Sequence, residues 1–507
     1  MAVTVYEGSI KHELAFEEGE SILKVLQNAG IQSITAPCGG KGSCRKCGVY
    51  VKSGSTSGSS LACTTQAEDG MVVEIFPEER SSFAESSAGN VYPPDPGKSG
   101  YAIACDIGTT TVVCKLFDLN TGRMLAGTSG SNSQRVFGGD VLSRLKAAEE
   151  GRADELHALI IQQIDQFIAE LCRKARISAK DIKLMAVTGN TIILHFFAGL
   201  DPASLCTAPF KPVSLFGETK RGRELGLSFD GDVYLCPAAS GFIGSDVLCG
   251  ILSCGMSQSD GTMLMLDLGT NTEIVMGSRD RIAACSADGG AVFKASLLEH
   301  GMTASEGAVA GVKYADGQLE LEVLGGGEPK GICGSGLIDI LGILFEEGIL
   351  DETGRIVDPD ETDSGLARYI GAEEDRTVFC LTEDRSIYIS QADISKFQLA
   401  KAAVSAGIQV LAGECGVSPS GLDRLVLGGG FGAFAHRHNS AVLGIIPKEC
   451  KGRTVKMGNT ALAGATSAAL SEEARCELER IQERIQVIDL PSHPSFNDAY
   501  VDSMFFE

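Results

Sequence analysis

The sequence predicts a multidomain chain of α/β and α+β class, and three observations lead to that prediction. A cysteine-rich stretch of short strands and one helix runs into a Ser-, Ala- and Pro-rich linker. From Tyr101 onward, apolar strands alternate with helices. A six-residue motif recurs 161 residues later, which is the mark of two related half-domains. At 507 residues the chain has room for about two to four domains.

The first region reads as strand, strand, helix, loop and two more strands. Val3-Thr4-Val5-Tyr6 alternates as a strand, and Gly8-Ser9 turns it into a second that runs to Phe16. Ser21 is placed to cap a helix whose apolar face is Ile22, Leu23, Val25 and Leu26, with Gly30 ending it. A cysteine loop follows, then strands at Gly48–Val51 and Val72–Ile75. Between residues 81 and 100 the composition shifts to Ser, Ala, Gly, Asn and Pro, closing on Tyr92-Pro93-Pro94-Asp95-Pro96-Gly97, an exposed and fairly stiff linker. Beyond it come strands at 101–105 and 111–117, and an amphipathic helix at 154–175. The apolar side of that helix is Leu156, Leu159, Ile160, Ile164, Phe167, Ile168 and Leu171. A further strand is expected at 183–188. The expected domains are 1–78, a linker at 79–99, a first half-domain at 100–260, a second at 261–457 and a C-terminal extension at 476–507. A return of the helix around 458–475 to the first half stays open as an alternative.

A net charge of −23 with no basic stripe excludes a nucleic-acid-binding role and is consistent with ordinary solubility. No run approaches the ~20 apolar residues of a membrane span. The N-terminus lacks a basic-then-apolar leader, so the expected location is the cytoplasm. Seventeen cysteines do not suit disulfides in a reducing compartment. Most are expected to be small buried hydrophobes, including Cys236, Cys249 and Cys254.

Four cysteines stand apart. Cys38, Cys44, Cys47 and Cys63 have the spacing C-x5-C-x2-C-x15-C, with Gly39, Gly40 and Gly42 between the first two. Glycine permits the positive φ angles and close approach that a backbone wrapped around a compact inorganic core requires. Zinc also takes four cysteines, but its ribbons usually carry two C-x2-C knuckles and only one occurs here. A [4Fe–4S] cluster more often shows C-x2-C-x2-C. The spacing therefore points to a [2Fe–2S] cluster.

The repeat is Asp106-Ile107-Gly108-Thr109-Thr110-Thr111 and Asp267-Leu268-Gly269-Thr270-Asn271-Thr272, each copy set between two apolar strands. Successive main-chain N–H groups in such a turn cradle phosphate oxygens, and Thr hydroxyls add donors. The Asp at the strand end is placed to hold Mg²⁺, directly or through water. One copy alone reads equally well as an ordinary Gly-Thr hairpin, and a cleft between two such halves is the natural ligand site. Leu425-Val426-Leu427 then enters Gly428-Gly429-Gly430-Phe431-Gly432, where a purine or ribose can lie directly on the backbone.

The N-terminal region resembles [2Fe–2S] ferredoxins of the hydroxylase type, which share the five-residue first spacing, whereas plant-type ferredoxins have four. Its departure is the short gap from Cys47 to Cys63, which contains the Ser- and Gly-rich segment 53–60. The two hairpins with Gly428 to Phe431 resemble the phosphate and adenosine motifs of the ASKHA superfamily. That resemblance implies two ribonuclease-H-like subdomains closing on ATP, with Asp106 on Mg²⁺ and Asp267 orienting the metal shell or the attacking water.

A ferredoxin domain of β-grasp type fused to an ASKHA ATPase resembles the reductive activators of corrinoid proteins. Thr188-Gly189-Asn190-Thr191, Gly331 to Asp339 and Phe496-Asn497-Asp498-Ala499-Tyr500 are also similar to that family, although the linker here is shorter. The resemblance implies ATP-driven return of a Co(II) corrinoid protein to Co(I), an upstream low-potential electron donor and a possible homodimer. Two other readings stay open: an activator of the hydroxyacyl-CoA dehydratase kind, with Cys333 as a cluster ligand, and a small-molecule kinase whose ferredoxin senses redox state. His436 and His438 are expected on a solvated helix face, Cys333 at a helix entry or an interface, and the C-terminal aromatics in core packing.

Overall fold

A five-stranded sheet occupies the first 75 residues of the computed structural model: β1 Ala2–Glu7, β2 Ile10–Ala15, β3 Gly48–Ser53, β4 Gly58–Leu61 and β5 Val72–Ile75, in the order β2-β1-β5-β3-β4. The structure describes all residues except 8–9, 32–33, 35–39, 41–46, 54–57, 76–91, 270, 294, 296, 316–317, 375, 430–435 and 507. Only β1 and β5 run parallel, and the helix Ile22–Asn28 packs on the sheet, as in a β-grasp. Ser21 caps that helix by accepting from Lys24 N–H. Past its end, Gly30 at φ +67° and the Ile31 N–H to Leu26 carbonyl bond (3.0 Å) close the last turn. Every second residue of β5 is buried, and Val3, Val5, Val49, Val51, Val73 and Ile75 form the core with Ile22 and Leu26. The sequence reading gave no strand to the Ser- and Gly-rich segment. Its end is β4, which pairs antiparallel with β3. Ser and Gly have low β propensity, so the pairing is set by β3 rather than by local preference.

By contacts the described residues fall into two units. One comprises Met1–Glu85, Tyr92–Asp246 and Ala465–Arg475; the other comprises Val247–Gly464 and Cys476–Glu507.

The first unit adds a six-stranded sheet to the ferredoxin-like part: β6 Tyr101–Ile107, β7 Thr111–Asp118, β8 Met124–Ser131, β9 Ile182–Gly189, β10 Glu218–Arg221 and β11 Asp232–Leu235. Its order is β10-β11-β9-β6-β7-β8. β6, β7 and β8 form an antiparallel meander, and β9 and then β11 join parallel on the other side of β6. The helix Ala153–Ala175 covers this sheet with Leu156, Ile160, Ile164, Phe167, Ile168 and Leu171, while Leu159 sits at the margin. Each such side chain, fully buried, contributes about 1.5–3 kcal/mol. The described end of the linker is not free-standing. Tyr92 N–H donates to Ser467 Oγ (3.3 Å), Asp95 N–H donates to the Leu470 carbonyl (3.0 Å), and the Asp95 carboxylate accepts from Glu472 N–H (3.1 Å).

The second unit repeats the pattern with β12 Met263–Leu268, β13 Thr272–Gly277, β14 Ile282–Ala287, β21 Arg424–Gly428, β22 Thr454–Gly458 and β23 Ile485–Val487, in the order β22-β21-β12-β13-β14-β23. The meander β12-β13-β14 corresponds to β6-β7-β8, and β21 and β22 join parallel as β9 and β11 do. This shared order gives the two related half-domains that the repeat predicts, in the ribonuclease-H-like arrangement that the resemblance implies. Two small antiparallel hairpins lie between β14 and β21: β15 Ala308–Ala315 with β16 Gln318–Val323, and β18 Ile370–Glu373 with β19 Arg376–Cys380. β17 Gly331–Ile332 flanks the first and β20 Tyr388–Ser390 the second. The long helix Gln391–Cys415 packs on β13 and β14. Phe506 is buried among Phe345, Phe397 and Lys401, so this C-terminal aromatic is core, whereas Phe505 is exposed.

Among the described residues no cysteine forms a disulfide, and Cys236, Cys249, Cys254 and Cys333 are buried. Cys333 stands at the N-cap position of the helix Gly334–Glu346 without a side-chain capping bond. Cys476 is the exposed one among those described. No described helix is long and apolar enough to cross a membrane.

Candidate functional site

The ferredoxin-like part brings two of the four predicted ligands together. Cys47 is fully buried just before β3, and its Sγ lies 3.2 Å from Cys63 Sγ. Ala62 N–H donates to the Cys47 carbonyl (2.8 Å), which ties the turn carrying Cys63 to the strand that follows Cys47. The helix start holds the same turn, with Ile22 and Leu23 N–H donating to the Thr65 and Ala62 carbonyls (2.8 Å each). Gly40 has φ +82°, and a Cβ there would stand 3.3 Å from Leu23 Cδ2, so both the conformation and the space call for glycine. Cys38 and Cys44 lie outside the described residues. Two adjacent unbridged thiols, Cys47 buried and Cys63 half-buried, are a donor set that fits iron–sulfur ligation.

In the first unit Asp106 lies within β6, one residue before its end, and is 8% exposed. The loop closes through Gly108 N–H to the Thr111 carbonyl (3.0 Å), where a Cβ on Gly108 would meet that oxygen at 2.8 Å. Thr109 and Thr110 form the tip. Asn190 Nδ2 donates to Thr109 Oγ1 (3.2 Å), and Asn190 also caps the helix Thr191–Ala198. Asn132 and Arg144 hold the loop from beneath; neither was picked out as a site residue from sequence. The signal for Arg144 was present, since it lies at i+3 from Val141 on the stripe that Leu145 continues, where an apolar residue belongs.

In the second unit Asp267 and Gly269 repeat the arrangement. Gly269 N–H donates to the Asn271 carbonyl (3.0 Å), and Thr270 lies outside the described residues. The parallel pairing of β12 with β21 sets Asp267 beside Gly428. Gly429 follows at φ +76°, so close that an added Cβ would be 2.3 Å from Asp267 Oδ1 and 3.0 Å from the Leu268 carbonyl. A Cβ on Gly428 would meet Thr460 Oγ1 at 2.8 Å, and that buried hydroxyl has no partner among the described residues. The second hairpin and the start of the glycine cluster thus meet at one point. Gly430 and Phe431 lie outside the described residues.

The first unit has the same junction with different residues. β6 pairs with β9 so that Asp106 lies beside Thr188, and a Cβ on Gly189 would meet the Ile107 carbonyl at 2.6 Å. Thr188-Gly189-Asn190 therefore occupies the place that Gly428-Gly429 occupies in the second unit. The Ser245 hydroxyl fastens it, bonding Thr188 Oγ1, Gly189 N–H and the Gly189 carbonyl.

The two hairpins are not identical. Ile107 pairs with Val112, whereas Leu268 pairs with Thr272, so the first loop holds one residue more. Thr111 is half-buried at the loop mouth; Thr272 is fully buried with its hydroxyl unpartnered among the described residues. The sequence aligns these two residues one for one, but a one-residue change of register turns a side chain to the other face.

Beyond the glycine cluster, His436 stands at the N-cap position of the helix Arg437–Val442. His438 on that helix meets Glu346 Oε1 (2.7 Å) and Lys451 Nζ (2.6 Å). Asn439 donates to Asp339 Oδ1 (2.8 Å), and burial raises the Asp339 carboxyl above the usual range against that bond. Among the described residues no three His, Cys, Asp or Glu side chains converge as a metal site.

Comparison with known proteins gives three family matches. The C-terminal, ASKHA domain of RACo matches residues 261–507, the RACo middle region matches 101–259, and a 2Fe-2S iron–sulfur cluster binding domain matches 11–76. The corrinoid activation enzyme RamQ of Eubacterium limosum is 28% identical over 98% of this chain and 98% of its own. The [Co(II) methylated amine-specific corrinoid protein] reductase of Methanosarcina barkeri is 24% identical over 79% of this chain and 76% of its own. A solved reductive activator for corrinoid, iron–sulfur protein matches 99% of this chain and 98% of that chain, at 26% identity and a TM-score of 0.70.

Proposed function

The chain belongs to the RACo family, and on that premise we propose that it is an ATP-hydrolysing reductive activator that returns a Co(II) corrinoid protein to Co(I) for methyl transfer. The observation that carries this reading is the presence in one chain of an adjacent thiol pair and two Asp-Gly hairpins at corresponding places in sheets of the same order. The [2Fe–2S] cluster, held by Cys38, Cys44, Cys47 and Cys63, supplies a one-electron donor when bound.

The residues of the chain divide the remaining work. Main-chain N–H groups and hydroxyls of the loops Gly108 to Thr111 and Gly269 to Asn271 bind phosphate oxygens, while the buried Thr272 belongs to the strand that follows. Gly428, Gly429, Gly430 and Phe431 carry the adenosine. Mg²⁺ ordinarily takes one or two carboxylates with the nucleotide's own oxygens, a role that suits Asp106. Asp267, held against the Gly429 main chain, orients the attacking water or the metal's water shell. The partner is a corrinoid protein, and reduction at so low a potential runs uphill from a common donor. With about 59 mV per tenfold for one electron, a gap of a few hundred millivolts is on the order of 5–8 kcal/mol. Hydrolysis closes that gap only if the nucleotide states bind the partner differently.

The test mixes the reduced protein with a Co(II) corrinoid protein and ATP, then follows Co(I) in the visible spectrum alongside phosphate release. Asp106→Ala is expected to lower the ATP-dependent rate by ~100-fold or more, the scale for loss of one electrostatic group at a reacting centre. Equal rates for variant and wild type refute the reading. Transfer of the γ-phosphate to a metabolite, with no free phosphate, would establish a kinase instead.

A further inference from the structure

The helix Ile22–Asn28 holds the turn of Cys63 at its start and rests on another part of the same unit at its end. Gln27 Nε2 donates to the Val136 carbonyl, and Arg152 Nη2 reaches Asn28 Oδ1 at 3.5 Å. The Arg152 guanidinium also lies 4.8 Å from the centre of the Phe137 ring. Val136 and Phe137 belong to the turn Ser133–Phe137, which is buried throughout and capped by Asn132. Gln163 and Leu156 of the helix Ala153–Ala175 pin that turn, accepting from Ser133 N–H and Gln134 Nε2 at 2.9 Å. The turn is thus pinned to that helix, and it touches the ferredoxin-like part directly.

The same piece grips the first hairpin. Asn132 N–H donates to the Thr110 carbonyl (2.8 Å) and Asn132 Nδ2 to the Gly108 carbonyl (2.9 Å). The carbonyl between them, that of Thr109, accepts from Arg144 Nη2 (2.6 Å). Arg144 Nε in turn donates to the carbonyl of Gly138, the residue that ends the turn. Three successive carbonyls of the hairpin are thus held by Asn132, which opens Ser133–Phe137, and by Arg144, which bonds the Gly138 carbonyl at its end.

Arg144 is also charged and fully buried. Two of its nitrogens bond main-chain carbonyls, and Nη1 has no partner among the described residues. Burial pulls the guanidinium down to about 9, although Asp140 favours its charge. A buried cation short of counter-charge is costly. A phosphate on the loop that Arg144 braces is the anion that would offset this cost.

We infer that Arg144 is a positioning residue that ties the first phosphate hairpin to the seat of the iron–sulfur domain, so that a nucleoside triphosphate at the hairpin stiffens Ser133–Phe137 and the end of the ferredoxin helix resting on it. This rests on the phosphate reading of the hairpin given above. It adds a route by which the ATP site is felt at the domain that carries the electron.

The experiment is amide hydrogen exchange on the full-length, cluster-loaded protein, with and without a non-hydrolysable ATP analogue and Mg²⁺. In wild type the analogue slows exchange at residues 25–29 by at least ~5-fold, the low end of ordinary coupling between sites. Arg144→Lys keeps the charge but loses the two-pronged grip; it binds the analogue more weakly and, at saturation, shows no response in the helix. Gln27→Ala also loses the response. Because coupling is reciprocal, that variant, which touches no nucleotide, weakens analogue binding by up to the same factor. Asn28→Ala replaces it if the cluster spectrum shows that Gln27→Ala disturbs the ferredoxin fold. Wild type that binds the analogue with no change at residues 25–29 overturns the inference. So does a full response in Gln27→Ala, or in an Arg144→Lys protein that is merely less stable. Wild type that binds no analogue instead sinks the phosphate reading itself.

Discussion

Gly429→Ala places a methyl group where the second hairpin and the glycine cluster meet. At φ +76° the left-handed backbone costs an alanine about 1–2 kcal/mol. The added Cβ stands 2.3 Å from Asp267 Oδ1, so the carboxylate must swing off its rotamer at about 0.5–1.5 kcal/mol. Together the two parts are ~1.5–3.5 kcal/mol, of which the Asp267 part alone is about 2- to 12-fold at 1.4 kcal/mol per decade. The backbone part falls on folding and the displacement of Asp267 on turnover, so denaturant unfolding and steady-state ATP hydrolysis are measured on the same preparation. Gly413→Ala is the matched control. It lies on the exposed face of the helix Gln391–Cys415 with nothing within 4 Å of its Cβ, and alanine there is expected to stabilise by about 0.4–1 kcal/mol. Unchanged hydrolysis and an unchanged midpoint in Gly429→Ala would refute the reasoning, and so would equal harm from both variants.

Two further outcomes follow from other parts of the chain. Cys63→Ala should remove most of the bound iron and the visible absorbance while leaving ATP-analogue binding in place; iron content equal to wild type would exclude Cys63 as a ligand. Asp339 has its folded-state pKa raised by burial, so the native state holds its proton more tightly than the unfolded chain, and stability falls as pH rises through that pKa. Asp339→Asn should therefore raise the melting temperature at pH 8 and do so less below pH 4; a shift of equal size at both ends would contradict this.

What the sequence revealed was local chemistry. Cys47 and Cys63, Asp106 with Gly108, and Asp267 with Gly269 sit in short stretches whose residue types and spacing already name a task. Asn132 and Thr460 could not be found that way, and Arg144 only as a charge on an apolar stripe with no task attached, because each matters through a partner distant in sequence: Thr109 for Arg144, Gly108 for Asn132, Gly428 for Thr460. The meeting of Asp267 with Gly429 depends on the parallel pairing of β12 with β21, which no local pattern announces. The repeat itself was legible but misleading in one detail. Thr111 and Thr272 align in sequence, while closure of each loop by its own glycine fixes a different register. The strand Gly58–Leu61 escaped for the same kind of reason, since pairing with β3 overrides what Ser and Gly prefer alone.

The distribution of free thiols has a practical consequence. Burial pushes Cys254 up to about 11 and raises Cys285 further still, so these sulfurs stay protonated and resist alkylation at neutral pH. Cys476, exposed on the helix Glu472–Arg484, differs from them in access to reagent. Among the described cysteines a maleimide at limiting dose should therefore mark that helix first, giving a dye or spin label a known address on a native residue.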